Sequence, residues 1–220
     1  MTTSFPPGLV ERLHAGLDAL QLSLPAALPQ QVLQYLTLLL KWNRAYNLTA
    51  VRDPQEMIPR HVLDSLVVLP YVRGPAVLDV GTGAGLPGLL LALARPDWQF
   101  SLLDSNAKKT RFITQVVIEL GLSNVSVVCQ RAEHWQTPQR FDSILSRAYS
   151  DLATFYQQTR SLCAADGCLL ALKGKLPEEE LNALQKRGLQ PTIQVLNVPG
   201  LHETRHLIKL SPGYCSAACQ

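Results

Sequence analysis

The stretch Val77-Leu-Asp-Val-Gly-Thr-Gly-Ala-Gly-Leu-Pro-Gly88 decides the fold. It opens as a short apolar strand, breaks into glycines and runs into Leu86–Ala94, which reads as a helix. The window Gly83-x-Gly85-x-x-Gly88 satisfies a dinucleotide fingerprint in the wrong register. Gly81 already ends the strand, and counted from it the third fingerprint position is Leu86. A second pattern places an acid near the strand end and then glycines two apart. Asp79, Gly81, Gly83 and Gly85 fit it, and it is the pattern for S-adenosylmethionine. A pyrophosphate seeks backbone amides and avoids a carboxylate. A ligand carrying an ammonium and a sulfonium gains from one. The plain alternative, a tight turn with no ligand, does not call for four glycines between positions 81 and 88.

Outward from this loop the chain alternates strand and helix. Strands are predicted at Ala76–Val80, Trp98–Leu103, Val125–Cys129, Phe141–Leu145, Cys168–Leu172, Ile193–Val198 and His206–Leu210. Helices are predicted at Lys108–Leu120, Leu152–Leu162 and Glu178–Lys186, in addition to the one after the glycines. Such alternation gives an α/β fold, a mostly parallel Rossmann-like sheet of seven strands. The last two strands lack an intervening helix, so they form a hairpin and one strand is antiparallel. The first 75 residues read differently. Leucines recur at helical spacing from Leu9 to Leu20 and from Val32 to Leu40. Asp53-Pro54 marks a third helix start. The expected organisation is a helical segment over 1–75, a sheet domain over 76–212 and a flexible tail over 213–220.

Ligands of such sheets sit at the carboxyl ends of the strands. The second strand ends in Asp104, 23 residues past Gly81, where an acid accepts ribose hydroxyls; the alternative there is a helix N-cap. The third strand leads to Arg131-Ala132-Glu133 and the fourth to Ser146-Arg147-Ala148-Tyr149. No Asn/Asp-Pro-Pro-aromatic signature and no cysteine occupies the fourth strand end, so exocyclic-amine and cytosine-C5 chemistry are disfavoured.

Composition narrows the class without choosing the partner. Of 220 residues, 20 are Lys or Arg and 17 Asp or Glu, for a net charge of +3. Six basic residues face five acidic ones up to residue 75, and fourteen face twelve after it. A chain that is 47% hydrophobic is not wholly disordered. No secretory start and no membrane-length apolar run occurs, so a cytoplasmic protein is expected. Cys129, Cys163, Cys168, Cys215 and Cys219 form no zinc spacing and point to no metal. The first three are expected as buried, reduced thiols, and the other two lie in the tail.

The chain resembles the bacterial 16S ribosomal RNA guanine-N7 methyltransferases, the glucose-inhibited division protein B family, from about Leu33 to Leu210. The resemblance is carried by Lys41-Trp-Asn-Arg-Ala-Tyr-Asn-Leu-Thr49, Arg60-His-Val-Leu-Asp-Ser65, the glycine loop and Leu103-Asp-Ser-Asn-Ala-Lys-Lys-Thr-Arg-Phe112. It continues in Ser146-Arg-Ala148 and Ala171-Leu-Lys-Gly174. It implies methyl transfer from S-adenosylmethionine to N7 of nucleotide 527 in the small ribosomal subunit or its assembly intermediate. It also implies cofactor contacts at Gly81, Leu86, Ala132, Glu133 and Arg147. Leu86 stands where some members have Phe, and Ala132 where Val is common. No catalytic acid or base is expected. RNA contacts are sought at Arg60, His61, Lys108, Lys109, Arg111, Lys173 and Lys175, with a solvated face, or a buried structural histidine at 61, as the alternatives. A monomer is expected. A small-molecule methyltransferase and a non-catalytic RNA-binding module remain open. A nicotinamide oxidoreductase is the distant fourth.

Overall fold

The computed structural model describes residues 5–213. Cys215 and Cys219 lie outside the described residues. Seven strands form one sheet in the order β3-β2-β1-β4-β5-β7-β6. They are β1 (Ala76–Val80), β2 (Gln99–Leu103), β3 (Val125–Val128), β4 (Phe141–Arg147), β5 (Cys163–Lys173), β6 (Thr192–Leu196) and β7 (Arg205–Leu210). Pairings β1–β2, β1–β4, β2–β3 and β4–β5 are parallel, whereas β7 is antiparallel to both β5 and β6. The expected sheet and terminal hairpin are therefore present. Strand order reverses between β1 and β4, which is where open α/β sheets bind ligands.

Alternation along the strands splits the core in two. Val77, Phe100, Leu102, Leu145 and Leu170 point to one face, Leu78, Val80, Ile144 and Leu169 to the other. The second face is covered by α7 (Leu152–Thr159) and α8 (Glu178–Lys186). The first is covered by α5 (Gly88–Ala94) and α6 (Ala107–Leu120) together with α1 (Leu9–Ala19) and α2 (Leu28–Tyr46). Leu9, Leu13, Tyr35, Leu36 and Leu39 are buried in the same cluster as Val77 and Phe112. The change at residue 75 is thus one of secondary structure across a continuous core.

The third helix is interrupted. It runs as α3 (Pro54–Met57), a π-helical turn (Ile58–Leu63) and α4 (Asp64–Leu66). Asp53 caps it, accepting from Gln55 N at 2.9 Å. Pro59 has no N–H to donate within the helix, and the ladder widens there to i→i+5 spacing. The segment from Asn43 to Thr49 docks against this turn. Asn43 exchanges two hydrogen bonds with the backbone of Thr49, at 3.0 and 2.9 Å, and the Thr49 hydroxyl pairs with His61 Nε2 at 2.8 Å. Asn47 closes α2 in a left-handed conformation and accepts from Arg52 at 3.2 Å.

One expectation needs correction. Cys129 is exposed; among the described residues the buried thiols are Cys163 and Cys168. The edge strand β3 ends at Val128, one residue before Cys129. α6 is capped by Asn106, which accepts from Lys108 N at 2.9 Å, and not by Asp104.

Tyr35 ties the helical segment to the glycine loop. Its hydroxyl, fully buried, donates to the Ala84 carbonyl at 2.9 Å. Tyr35→Phe leaves that carbonyl without its partner and should lower stability by about 1–3 kcal/mol in urea unfolding, with no change in overall fold by circular dichroism.

Candidate active site

The glycine loop is held by a carboxylate beneath it. Asp79 is completely buried, and its Oδ2 accepts from Thr82 Oγ1 at 2.7 Å and from Gly88 N at 2.8 Å. The loop's other anchor is the end of β2, where the Leu103 carbonyl accepts from Gly81 N at 2.8 Å and Thr82 N at 3.2 Å. A side chain at Gly88 would come within 2.3 Å of Leu102 and 2.8 Å of Asp79, so only glycine lets α5 start against the sheet. Gly81 has φ +68°, and a Cβ there would strike the Tyr149 ring at 2.6 Å.

Burial pushes the Asp79 carboxyl up to about 6, against hydrogen bonds from Thr82 and Gly88 that pull it down. Its second oxygen, Oδ1, is buried with no partner among the described residues. An orphaned, charged acceptor behind a glycine loop suits a cationic ligand group.

A cavity of about 360 Å³ opens in front of the loop. Gly81, Asp104, Ala132 and Glu133 lie on its wall, as the sequence suggests, and so does Lys109. Asp104 is buried. Its Oδ2 accepts from Gly83 N at 3.0 Å and its Oδ1 from Asn106 N at 2.8 Å. Each oxygen keeps a further lone pair, which matches two vicinal hydroxyls. Lys109 approaches the same carboxylate at 3.8 Å, on the wall of this cavity. Asp79, Gly83, Gly85 and Leu86 shape the loop from behind this wall.

A second cavity, about 920 Å³, lies on the other side of Ala148. Ala148 has φ +56° and forms part of both walls. Arg60, His61, Arg147, Lys173 and Lys175 line this second cavity, joined by Asp64, Glu203, Arg205 and His206. Arg147 lies on this second wall, next to the shared Ala148, and its charge reaches Asp79 beneath the glycine loop. His61 is buried, bonded to Thr49, and held near 4 mainly by burial and then by Arg147; it is neutral at physiological pH and brings no charge. Lys173 is neutralised by Glu180 at 2.9 Å and donates to the Ser150 carbonyl at 3.2 Å. Lys108 and Arg111 are exposed on α6, outside both walls.

Sequence reading missed Tyr149, Gln130 and Gln158 on the first wall and Asp64, Glu203 and Arg205 on the second. Tyr149 was within reach, since it follows the fourth strand end directly. Arg205 was not, because only the antiparallel β7 brings it back to β5. No group of His, Cys, Asp and Glu suited to a metal occurs among the described residues.

Residues 29–208 match the family model described as rRNA small subunit methyltransferase G. The chain belongs to that family. It is 50% identical over 200 residues to the Ribosomal RNA small subunit methyltransferase G of Alkalilimnicola ehrlichii, covering 91% of each chain. To its counterpart in Laribacter hongkongensis it is 52% identical over 204 residues, covering 92% of this chain and 98% of that one. Among solved structures it is similar in fold to the glycopeptide N-methyltransferase MtfA, complexed with S-adenosyl-L-methionine. There the TM-score is 0.59 at 10% identity, over 70% of this chain and 88% of that one. A SAM-dependent methyltransferase from Aquifex aeolicus matches with TM-score 0.52 at 21% identity, over 68% and 89%.

Asp79→Asn separates loop support from ligand binding. The native carboxyl, raised from 3.8 to about 6, binds more protons folded than unfolded between those values, so its contribution to stability falls as pH rises through that window. At pH 7.5 the Asn variant should be more stable than the parent by about 1–3 kcal/mol, with the gain vanishing below about pH 4. Its affinity for S-adenosylmethionine, read by calorimetry, should nevertheless drop.

Proposed function

We propose that this chain transfers the methyl group of S-adenosylmethionine to N7 of a guanine, nucleotide 527, in the 16S RNA of the small ribosomal subunit. The observation that carries this reading is the meeting of two unlike cavities at Ala148, in a chain of this family. One presents the buried carboxylate of Asp104, with Glu133, beside Lys109 and Arg131; the other carries five cations, Arg60, Arg147, Lys173, Lys175 and Arg205, against the two acids Asp64 and Glu203. The first suits a cationic cofactor with a ribose; the second suits a polyanion.

Asp104 would take the ribose hydroxyls, with Gly81, Ala132 and Glu133 around the rest of the molecule. When bound, S-adenosylmethionine supplies a methyl group on a positively charged sulfur. Guanine N7 carries an in-plane lone pair and no proton, so the chain needs no general base. Its residues align the two groups and keep water out. Such alignment lowers a barrier by up to about 7–11 kcal/mol in favourable cases. Arg147 beside the seam serves best as an anchor for phosphate. A cation aimed at N7 itself would oppose the positive charge that the base acquires. Action as a monomer in the cytoplasm, on the subunit or an assembly intermediate, completes the proposal. Among the described residues no helix is long and apolar enough to cross a membrane.

The test is chemical. Ribosomal RNA from a strain deleted for this gene is reduced with borohydride, cleaved with aniline and read by primer extension. The cleavage at the expected guanine should disappear and return with a plasmid copy. Its persistence in the deletion strain overturns the assignment.

A further inference from the structure

The second cavity holds two features that a groove for phosphates alone does not explain. The first is apolar. Val51, from the loop after α2, lies on its wall with Leu172, near the end of β5, and Leu176, in the loop beyond it. Leu176 leaves 39% of its surface exposed among the cations. Apolar side chains at a site for a polyanion suit a base taken out of its stack, which enzymes acting on bases hold in this way. A volume of about 920 Å³ admits a nucleotide.

The second feature is acidic. Glu203, in the loop before β7, lies on the same wall. Its Oε1 accepts from Arg60 Nη2 at 3.2 Å, and its Oε2 accepts from Arg205 Nη2 at 3.0 Å. Arg60 belongs to the π-helical turn and Arg205 to the start of β7, so the carboxylate is held between two elements. Hydrogen bonds from Arg205 and then Arg60 keep its carboxyl below the usual carboxylate range. It is ionised and accepts only, with a lone pair to spare on each oxygen. Its side chain is 53% exposed. Asp64, the other acid of this wall, is only 8% exposed and already has both oxygens bonded, to Arg147 and to Arg205.

Guanine has the edge that matches such an acceptor. Its N7 lies on one side of the base; N1–H and the N2 amino group lie on the other, and both are donors. With N7 turned to the cofactor at Ala148, the donor edge faces away from the seam and into the second cavity. Lysine and arginine have no acceptor and cannot read that edge. A carboxylate accepts from both donors at once. Adenine presents a lone pair at N1 and is repelled.

We propose that Glu203 is a specificity-determining residue: held by Arg60 and Arg205, its carboxylate accepts from N1–H and the N2 amino group of a guanine extruded into the second cavity against Val51 and Leu176. This rests on the reading above that guanine N7 receives the methyl group. The idea has a sign that can be tested. As a bare counter-ion Glu203 works against a polyanion, and its removal would speed methylation. As a reader of the base, its removal slows methylation and blurs the choice of base.

The experiment uses the full chain, tritiated S-adenosylmethionine and small subunits reconstituted on unmodified 16S RNA with guanosine or inosine at nucleotide 527. Inosine keeps N7 and N1–H and lacks the N2 amino group. The parent protein should favour guanosine by roughly 10- to 100-fold in kcat/KM, the worth of one hydrogen bond to a charged acceptor. Glu203→Ala should lower kcat/KM on guanosine subunits by at least that factor and favour guanosine by less than about threefold. Glu203→Gln keeps one acceptor and should lose less. A merely structural role would slow both substrates together and leave the preference intact. Glu203 connects through Arg205 and Asp64 to Arg147, so cofactor affinity is measured in parallel by calorimetry. It should change by less than about threefold. A loss of cofactor affinity as large as the loss in kcat/KM overturns the base-reading role. So does equal labelling of guanosine and inosine by the parent, an unchanged preference in Glu203→Ala, or faster methylation by that variant. A parent protein that labels neither these subunits nor those of the deletion strain overturns the N7 reading itself.

Discussion

Everything in the site depends on one buried carboxylate. Asp79 joins the end of β1 to Thr82 and to the first amide of α5, and it does so with a single oxygen. Burial raises its pKa, and its other oxygen has no protein partner. A residue chosen for stability alone would satisfy both oxygens or carry none. The fold tolerates the cost because Gly88 lets the helix press to the sheet and because α2, through Tyr35, holds the loop from the far side. The helical segment is thus part of the cofactor platform as well as a wall of the second cavity.

The charge of the chain acquires a meaning in this arrangement. A net +3 spread over 220 residues does not describe a protein that grips RNA with a broad basic surface. Within the second cavity most cations are already paired: Arg60 with Glu56 and Glu203, Lys173 with Glu180, and Arg205 with Asp64 and Glu203. Pairing restrains long side chains that would otherwise lose entropy on binding. Arg147 too is paired, with Asp64 at 2.9 Å.

Much of this was legible in the residues. The register of the glycines argued against a dinucleotide turn, and Asp104, Ala132 and Glu133 could be placed at neighbouring strand ends because parallel sheets bring those ends together. The role of Asp104 as pocket wall and not helix cap needed the structure, since Asn106 two residues later offers the same capping chemistry. The split between Asp104 and Arg147 was also hidden. Both stand at strand ends, and the wall that each lines depends on the turn between the two cavities at Ala148. Likewise a histidine in a basic motif reads as a nucleic-acid contact or a buried structural group, and the Thr49 hydroxyl that it pairs with lies twelve residues away. Arg205 and Asp64 are 141 residues apart, and no local pattern connects them.

The central claim is that the cofactor and its target base meet at Ala148, each from its own cavity. A crystal structure of the chain with bound S-adenosylmethionine tests this most directly. The ribose hydroxyls should lie on Asp104, with the sulfonium methyl pointing past Ala148 into the cavity that holds Arg147. A cofactor seated in the cavity of Arg147 and Arg205, or one whose methyl faces away from Ala148, would contradict the account.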